Sequence, residues 1–216
     1  MIRTSRILFA GLLMLACASA QAQESAQRVR GEVVVQAGNS LTVKTATGEA
    51  LSIRLTDTAR VTQESRVDLM SIVPGVYVGA TSVPQPDGTL RAVQIRIFPE
   101  ALRGIGEGHR PLTPQGGSTM TNATVSNMAS PSSNTMTNAT VSKVAGESQA
   151  RTMVLKYKEG EKLVIIPDDV VVIQTEIVDR SALVPGAHVV VTATRQSDGS
   201  LSAERVTVGK AGSVPM

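Results

Sequence analysis

The chain is poor in the side chains that most often build sites. Among its 216 residues there is no tryptophan, and there are two phenylalanines, two tyrosines, two histidines and one cysteine. Phe9 falls in an N-terminal leader, which leaves Tyr77, Phe98 and Tyr157 as the only rings beyond it. Proteins that hold single-stranded nucleic acid stack successive bases on several aromatic side chains, and this chain cannot supply such a platform. No run of Lys or Arg stands out either. Once Arg3 and Arg6 are removed with the leader, nineteen basic residues face eighteen acidic ones and the formal charge falls from +3 to +1. A nucleic-acid partner is therefore not expected. A zinc site usually asks for three or four N, S or O ligands, which His109 and His188 alone do not provide. No cofactor is implied. Beyond the leader no apolar run is long enough for a membrane helix.

The leader itself is informative. Arg3 and Arg6 precede an apolar core at Ile7–Ala16, and Ala18-Ser19-Ala20 and Ala20-Gln21-Ala22 both fit an A-x-A cleavage pattern. Residues 1–22 read as a signal peptide, and the mature chain is expected to be soluble and periplasmic or secreted. A second reading takes Met14-Leu15-Ala16-Cys17 as a lipobox with Cys17 acylated. The methionine at the first box position and the competing A-x-A sites favour ordinary cleavage. Without Cys17 the mature protein has no thiol, so packing alone must stabilise it.

What is present is a repeat. Val73-Pro74-Gly75 returns as Val184-Pro185-Gly186, and Asp87-Gly88-Thr89-Leu90 returns as Asp198-Gly199-Ser200-Leu201, both at an offset of 111. Gly48-Glu49 and Leu51 return as Gly160-Glu161 and Leu163 at 112. Each half reads as β structure. Leu41, Val43 and then Leu51, Ile53, Leu55 alternate with polar residues around a Gly48 turn. Met153, Leu155 and then Leu163, Ile165 do so around Gly160. Such runs are hairpins. Further hairpins are expected across Asp87-Gly88 and Asp198-Gly199, with short helical turns near Arg66–Ile72 and Asp179–Leu183. Five or six short strands in about 70 residues suit a small OB-like barrel. The expected architecture is all-β, with two OB-like barrels related by internal duplication and packed on each other. Residues 28–99 form the first, 100–134 a Gly/Ser/Thr/Asn-rich linker, 135–210 the second and 211–216 a tail.

The linker contains a puzzle. The octapeptide TMTNATVS starts at Thr119 and again, unchanged, at Thr135. Counted back from Gly146, Val141 falls where Val33 falls before Gly38, at an offset of 108. The second copy is therefore expected to supply the first strand of the second barrel. The first copy is expected to lie in loop, as a tandem duplication tolerated by a linker.

Gly31–Val33, Asn39–Val43, Val73–Val78 and Asp87–Ile95 together resemble a widespread bacterial exported domain of unknown function. Ile97–Gly104, Gly106–Pro111, Gly117–Val125 and the tail Val208–Lys210 with Val214–Met216 resemble one set of two-domain exported proteins from proteobacteria. In that set His-Arg-Pro usually precedes Trp, where this chain has Leu112, and the STMTNATV block occurs once. Some of its members carry a metal-transporter permease label. A permease needs membrane-spanning helices, so the label gains no support here.

The most site-like segment is Arg103-Gly104-Ile105-Gly106-Glu107-Gly108-His109-Arg110. Closely spaced glycines let backbone N–H groups converge on an anion, and Arg103, His109 and Arg110 add charge. Gly104, Gly106 and Gly108 complete this ligand-binding candidate. The competing reading is a flexible exit from the first barrel, docked by Arg110. Its G-x-G-x-G spacing is neither a dinucleotide nor a P-loop fingerprint. His188 reads as a half-exposed strand residue, Asp168-Asp169 as a turn, and Asp87-Gly88 and Asp198-Gly199 as hairpin turns. No catalytic constellation can be assembled. The favoured function is thus a non-enzymatic periplasmic binding or assembly module with a protein partner. An accessory role in metal or anion handling through residues 103–110 is the alternative, and a hydrolase comes last.

Overall fold

The computed structural model describes residues 26–112, 116–129 and 151–215. The leader with Cys17, and the second octapeptide, lie outside them. The fold is all-β. The first half contributes β1 (Ala26–Ala37), β2 (Ser40–Thr45), β3 (Ala50–Arg66), β4 (Tyr77–Pro84) and β5 (Leu90–Ile97). Two strands follow in the expected linker, β6 (Gly108–Pro111) and β7 (Thr119–Ala129). The second half adds β8 (Arg151–Tyr157), β9 (Gly160–Ile166), β10 (Val171–Val178), β11 (His188–Arg195) and β12 (Leu201–Gly209). Single 3₁₀ turns at Leu69–Ser71 and Arg180–Ala182 fall where the expected short turns lie.

Alternation decides what each strand buries. Leu41 and Val43 on β2 and Ile53 and Leu55 on β3 face one core, and Met153 and Leu155 on β8 face another. On β9 the phase differs from the sequence expectation. Val164 and Ile166 are buried, while Leu163 is 49% exposed. Leu163-Val164-Ile165-Ile166 is apolar on both faces, so its pattern cannot fix a phase. The pairing does, because Leu90 and Arg91 of β5 take Val164 and Ile165 as partners, and a slip of one residue inverts every side chain.

The strands close two circuits. β1 pairs with β2, β2 with β3, β3 with β12, β12 with β11 and β11 with β1. The other circuit runs β4, β5, β9, β8, β7 and back to β4. Neither ring is built from one contiguous half, which corrects the expected barrels at 28–99 and 135–210. Three strands of the first half are completed by the β11–β12 hairpin of the second, and the β4–β5 hairpin completes the other ring. The reason lies in β3. Its 17 residues run through the first ring and out of it, so the chain turns at Leu69–Ser71 into the neighbouring ring. The repeat shows which strands are equivalent, not which of two equivalents pairs with a given strand. A pseudo-dyad results. The second part of β3 and its equivalent β10 pair antiparallel, from Val61↔Val178 to Arg66↔Ile173. The two parallel closures, Leu201↔Ile53 and Leu90↔Val164, are related by the same offset of 111.

The linker expected at 100–134 is likewise corrected. Its first octapeptide is in the sheet as β7, which pairs with β4, β6 and β8. On β7, Val125 faces Leu155 just before a bulge, as Val33 faces Val43 just before a bulge on β1. The offset between these equivalents is 92, sixteen less than the expected 108 and therefore one repeat unit shorter. β6 folds back on this first copy, with His109 opposite Thr121.

Each ring has its own apolar core, one around Val33, Leu41, Ile53, Leu55 and Val191, the other around Val78, Ile95, Val125, Leu155 and Ile166. Across β10, Arg96 of β5 reaches Glu64 of β3 at 2.6 Å, and Glu64 is only 4% exposed. No helix among the described residues is long and apolar enough to cross a membrane.

Two outcomes follow from this interleaving. A fragment of residues 26–112 is expected to give no cooperative monomeric melt alone, and to form one complex when co-expressed with residues 116–215. A sharp monomeric transition of the fragment, read by circular dichroism with sedimentation, would refute the exchange of hairpins. Arg96→Met is expected to cost about 2–4 kcal/mol by denaturant unfolding, because it takes a close ion-pair partner from a buried carboxylate, with partial relief by water at the Arg96 position. Adding Glu64→Met should recover most of that loss.

Candidate functional site: a cleft on the seam of the two barrels

The outer face of the β5–β4–β7 sheet meets β1 of the other ring in a cleft of about 320 Å³. Alternation sends Gly79 and Thr81 of β4, Gln94 and Arg96 of β5, and Met120 and Asn122 of β7 outward into it. Phe98, Leu112 and Arg28 complete the walls. The cleft thus draws on both rings and exists because the hairpins are exchanged.

Asn122 is its floor. The residue is 5% exposed, and its Nδ2 donates to the Ile105 carbonyl at 3.0 Å. Its Oδ1 is buried without a hydrogen-bond partner. Gly79 makes room for it. A Cβ at Gly79 would lie 2.7 Å from Asn122 Oδ1 and 3.0 Å from the Phe98 ring, so any larger residue would push the amide out. A buried acceptor left unpaired costs roughly 1–3 kcal/mol.

Behind the floor sit two of the chain's few aromatics. Tyr77 is 1% exposed, and its ring stands 5.8 Å from that of Phe98. The Arg103 guanidinium lies over the Tyr77 ring, 5.8 Å from its centre. The Tyr77 hydroxyl donates to Ile105 O at 3.1 Å, so this carbonyl accepts from both Tyr77 and Asn122. Burial raises the Tyr77 hydroxyl above its ordinary range, with the Glu107 charge adding to it.

The segment expected to bind a ligand is this corner's strut. Arg103 donates to both carboxylate oxygens of Glu100, to Gly75 O at 2.8 Å and to Thr124 Oγ1 at 3.0 Å. Its hydrogen bond to Glu100 raises the guanidinium's pKa and lowers the carboxyl's. Arg110 donates to Gly106 O at 2.7 Å. Gly106 has φ 58°, and its open side is taken by Asn122 Nδ2 and Arg110. The amides of Ile105 and Glu107 donate to Leu102 O and Gly104 O. Gly104 and Gly108 also have positive φ, and they turn the chain into β6. Of the six candidates, Gly106 lies against the Asn122 amide and Gly108 is the ladder partner of Asn122, and the two guanidiniums are directed at groups of this chain.

The remaining candidates scatter. His109 Nδ1 meets Thr121 Oγ1 at 2.8 Å on the β6–β7 ladder. His188 begins β11 with Nδ1 3.7 Å from Glu32. Asp87 and Asp198 each accept from the backbone and hydroxyl of the residue two further on, Thr89 or Ser200, and these bonds hold both carboxyls below the usual range. Val170 N donates to Pro167 O, so Asp168-Asp169 is a turn. Among the described residues no three His, Cys, Asp or Glu side chains converge as a metal-ligand set. Arg28, Gln94, Arg96 and Asn122 escape a sequence reading because they belong to four positions on three strands. The available signal was the gathering of scarce rings at Tyr77 and Phe98.

His109 gives the fold a pH signature. Burial first, and Lys162 second, hold its ring below the ordinary histidine value. The unfolded chain then binds a proton more readily than the folded one. Stability is complete above about pH 6.5 and falls as the pH drops from there toward the folded value. His109→Gln, which can still reach Thr121, is expected to flatten the fall of melting temperature over that window. An unchanged acid slope would assign the loss to another group.

Compared with protein-family models, with curated proteins and with solved structures, the chain matches none.

Proposed function

We propose that the protein is an exported periplasmic binding module without catalytic activity, and that the seam cleft receives an acidic, extended segment of a partner protein. The observation that carries this reading is the unpartnered Asn122 oxygen at the cleft floor. It lacks a donor, and a peptide N–H supplies one when the Asn122 side chain turns from Gly79 toward the cleft. Arg28 stands exposed at the wall, and it makes no side-chain hydrogen bond or ion pair among the described residues. It calls for a carboxylate. Phe98, Met120 and Leu112 offer the apolar contact between the two. An acidic residue in extended backbone carries all three complements, and non-catalytic recognition needs nothing more. The alternative, metal or anion handling through residues 103–110, has less support. Its guanidiniums are already bonded within the chain.

The test is a ¹⁵N NMR titration with an acetylated glutamate-rich hexapeptide, set beside its glutamine counterpart and inorganic phosphate. The Asn122 side-chain amide and the Gly79 amide are expected to shift and saturate with the acidic peptide. Arg28→Ala should weaken that binding about tenfold, the loss of one charge-assisted hydrogen bond. Equal shifts with the glutamine peptide would remove the charge argument. Shifts confined to residues 103–110 on adding phosphate would favour the alternative.

A further inference from the structure

We propose that β7 exists in two registers sixteen residues apart, with the octapeptide at Thr135 able to replace the one at Thr119 in the barrel. The buried side chains of β7 are Thr121, Asn122, Ala123 and Val125. All four lie inside the octapeptide, and Thr137, Asn138, Ala139 and Val141 repeat them without change. Every β7 pairing with β4 and β6, from Thr119 to Thr124, also falls inside it. Only Asn127, Met128 and Ala129 extend the ladder with β8 beyond the repeat. The residues that follow the second copy are Lys143, Val144 and Ala145. Lysine replaces asparagine at an exposed position, alanine is kept, and valine replaces a half-buried methionine that packs on the second core. The bulge falls at Ser126, which the second copy repeats as Ser142.

Chain closure does not separate the two states. In the observed register 7 residues join β6 to β7 and 21 join β7 to β8. Shifting by the repeat makes these connections 23 and 5. With closure probability scaling as the −3/2 power of loop length, the two states differ by a factor of about 1.4. The shorter hairpin, residues 146–150, opens on Gly146 and has a common loop length. Identical contacts, a conservative flank and balanced closure put both registers within about tenfold of each other. Asparagine returns to the cleft floor in either. What changes is the Leu112 N–H bond to Ser118 O beside the cleft, since Asn134 takes the place of Ser118 before the strand.

Disulfide trapping reads this directly. Thr81 and Met120 are paired across β4 and β7 with their side chains in contact at 3.9 Å. In a Cys17→Ser background, Thr81→Cys with Met120→Cys reports the observed register, and Thr81→Cys with Met136→Cys reports the shifted one. Both pairs are expected to oxidise within the monomer, in yields within about tenfold of each other. Thr81–Met136 pairs that stay reduced while Thr81–Met120 pairs close would overturn the proposal, as would a Thr81–Met136 disulfide found only between chains. A second measurement holds if the cysteines disturb folding. The unsubstituted chain should show doubled ¹⁵N–¹H peaks for β4, β6 and β8, and deletion of residues 119–134 should collapse them to one set. A single set in the full-length chain, with no line broadening on those strands, would leave one register alone.

Discussion

Neither half of this chain closes its own barrel, and the rest of the structure depends on that. Three antiparallel strands, β1–β3 or β7–β9, leave an open edge on each side, and open edges invite pairing with another chain. Here the hairpin of the opposite half fills the gap, through Leu201↔Ile53 in one ring and Leu90↔Val164 in the other. The same exchange brings β3 and β10 together at the pseudo-dyad, so that the twelve strands form one hydrogen-bonded sheet. It also explains why a buried carboxylate is tolerated at Glu64. The strand that supplies its partner, β5, reaches that position only because it has crossed over.

The duplicated halves share a frame and differ in chemistry. Tyr77, Gly79 and Phe98 correspond to His188, Val190 and Gly209 at the offset of 111, and Asn122 corresponds to Arg30 at 92. Where one ring has a glycine that admits an asparagine amide, the other has a valine. Where one has a ring pair behind the floor, the other has an imidazole beside Glu32. The cleft with the unpartnered acceptor therefore occurs on one side of the dyad. Duplication supplied two equivalent sheets, and a few substitutions of size and polarity set one apart.

Much of the fold was legible in the sequence. The Gly48 and Gly160 hairpins, the Asp-Gly turns and the short turns at Leu69 and Arg180 are local features, fixed by residues within a few positions of one another. What escaped is non-local. The phase of Leu163–Ile166 depends on β5, whose paired residues lie 74 positions away in sequence. The exchange of hairpins depends on a choice between two near-identical partners, to which periodicity is blind. The site was missed for a related reason. Asn122 sits in a Thr/Asn/Ser-rich stretch whose composition reads as loop. Those small polar side chains serve instead as an inner strand, Thr121 and Asn122 being buried beside Ala123 and Val125. The Arg/Gly/His segment stood out because it is rich in charge and glycine, and its charges turn out to fasten that strand's neighbours.

Equivalent strands compete for the same slots in any fold of this kind, and a difference must decide the winner. For the hairpins the difference is large. Exchanging β4–β5 with β11–β12 would put Val190 where Gly79 must admit Asn122, and would carry the Tyr77–Phe98 ring pair away from behind the Asn122 floor. Each hairpin is thereby assigned to one ring. Inside the octapeptides there is no such difference, because all eight side chains are the same. Discrimination passes to what flanks them, namely one half-buried methyl-thioether against an isopropyl group, and two loops whose lengths trade against each other. Side-chain identity thus fixes the pairing of the halves, and its absence leaves the pairing of β7 to the weakest terms in the structure.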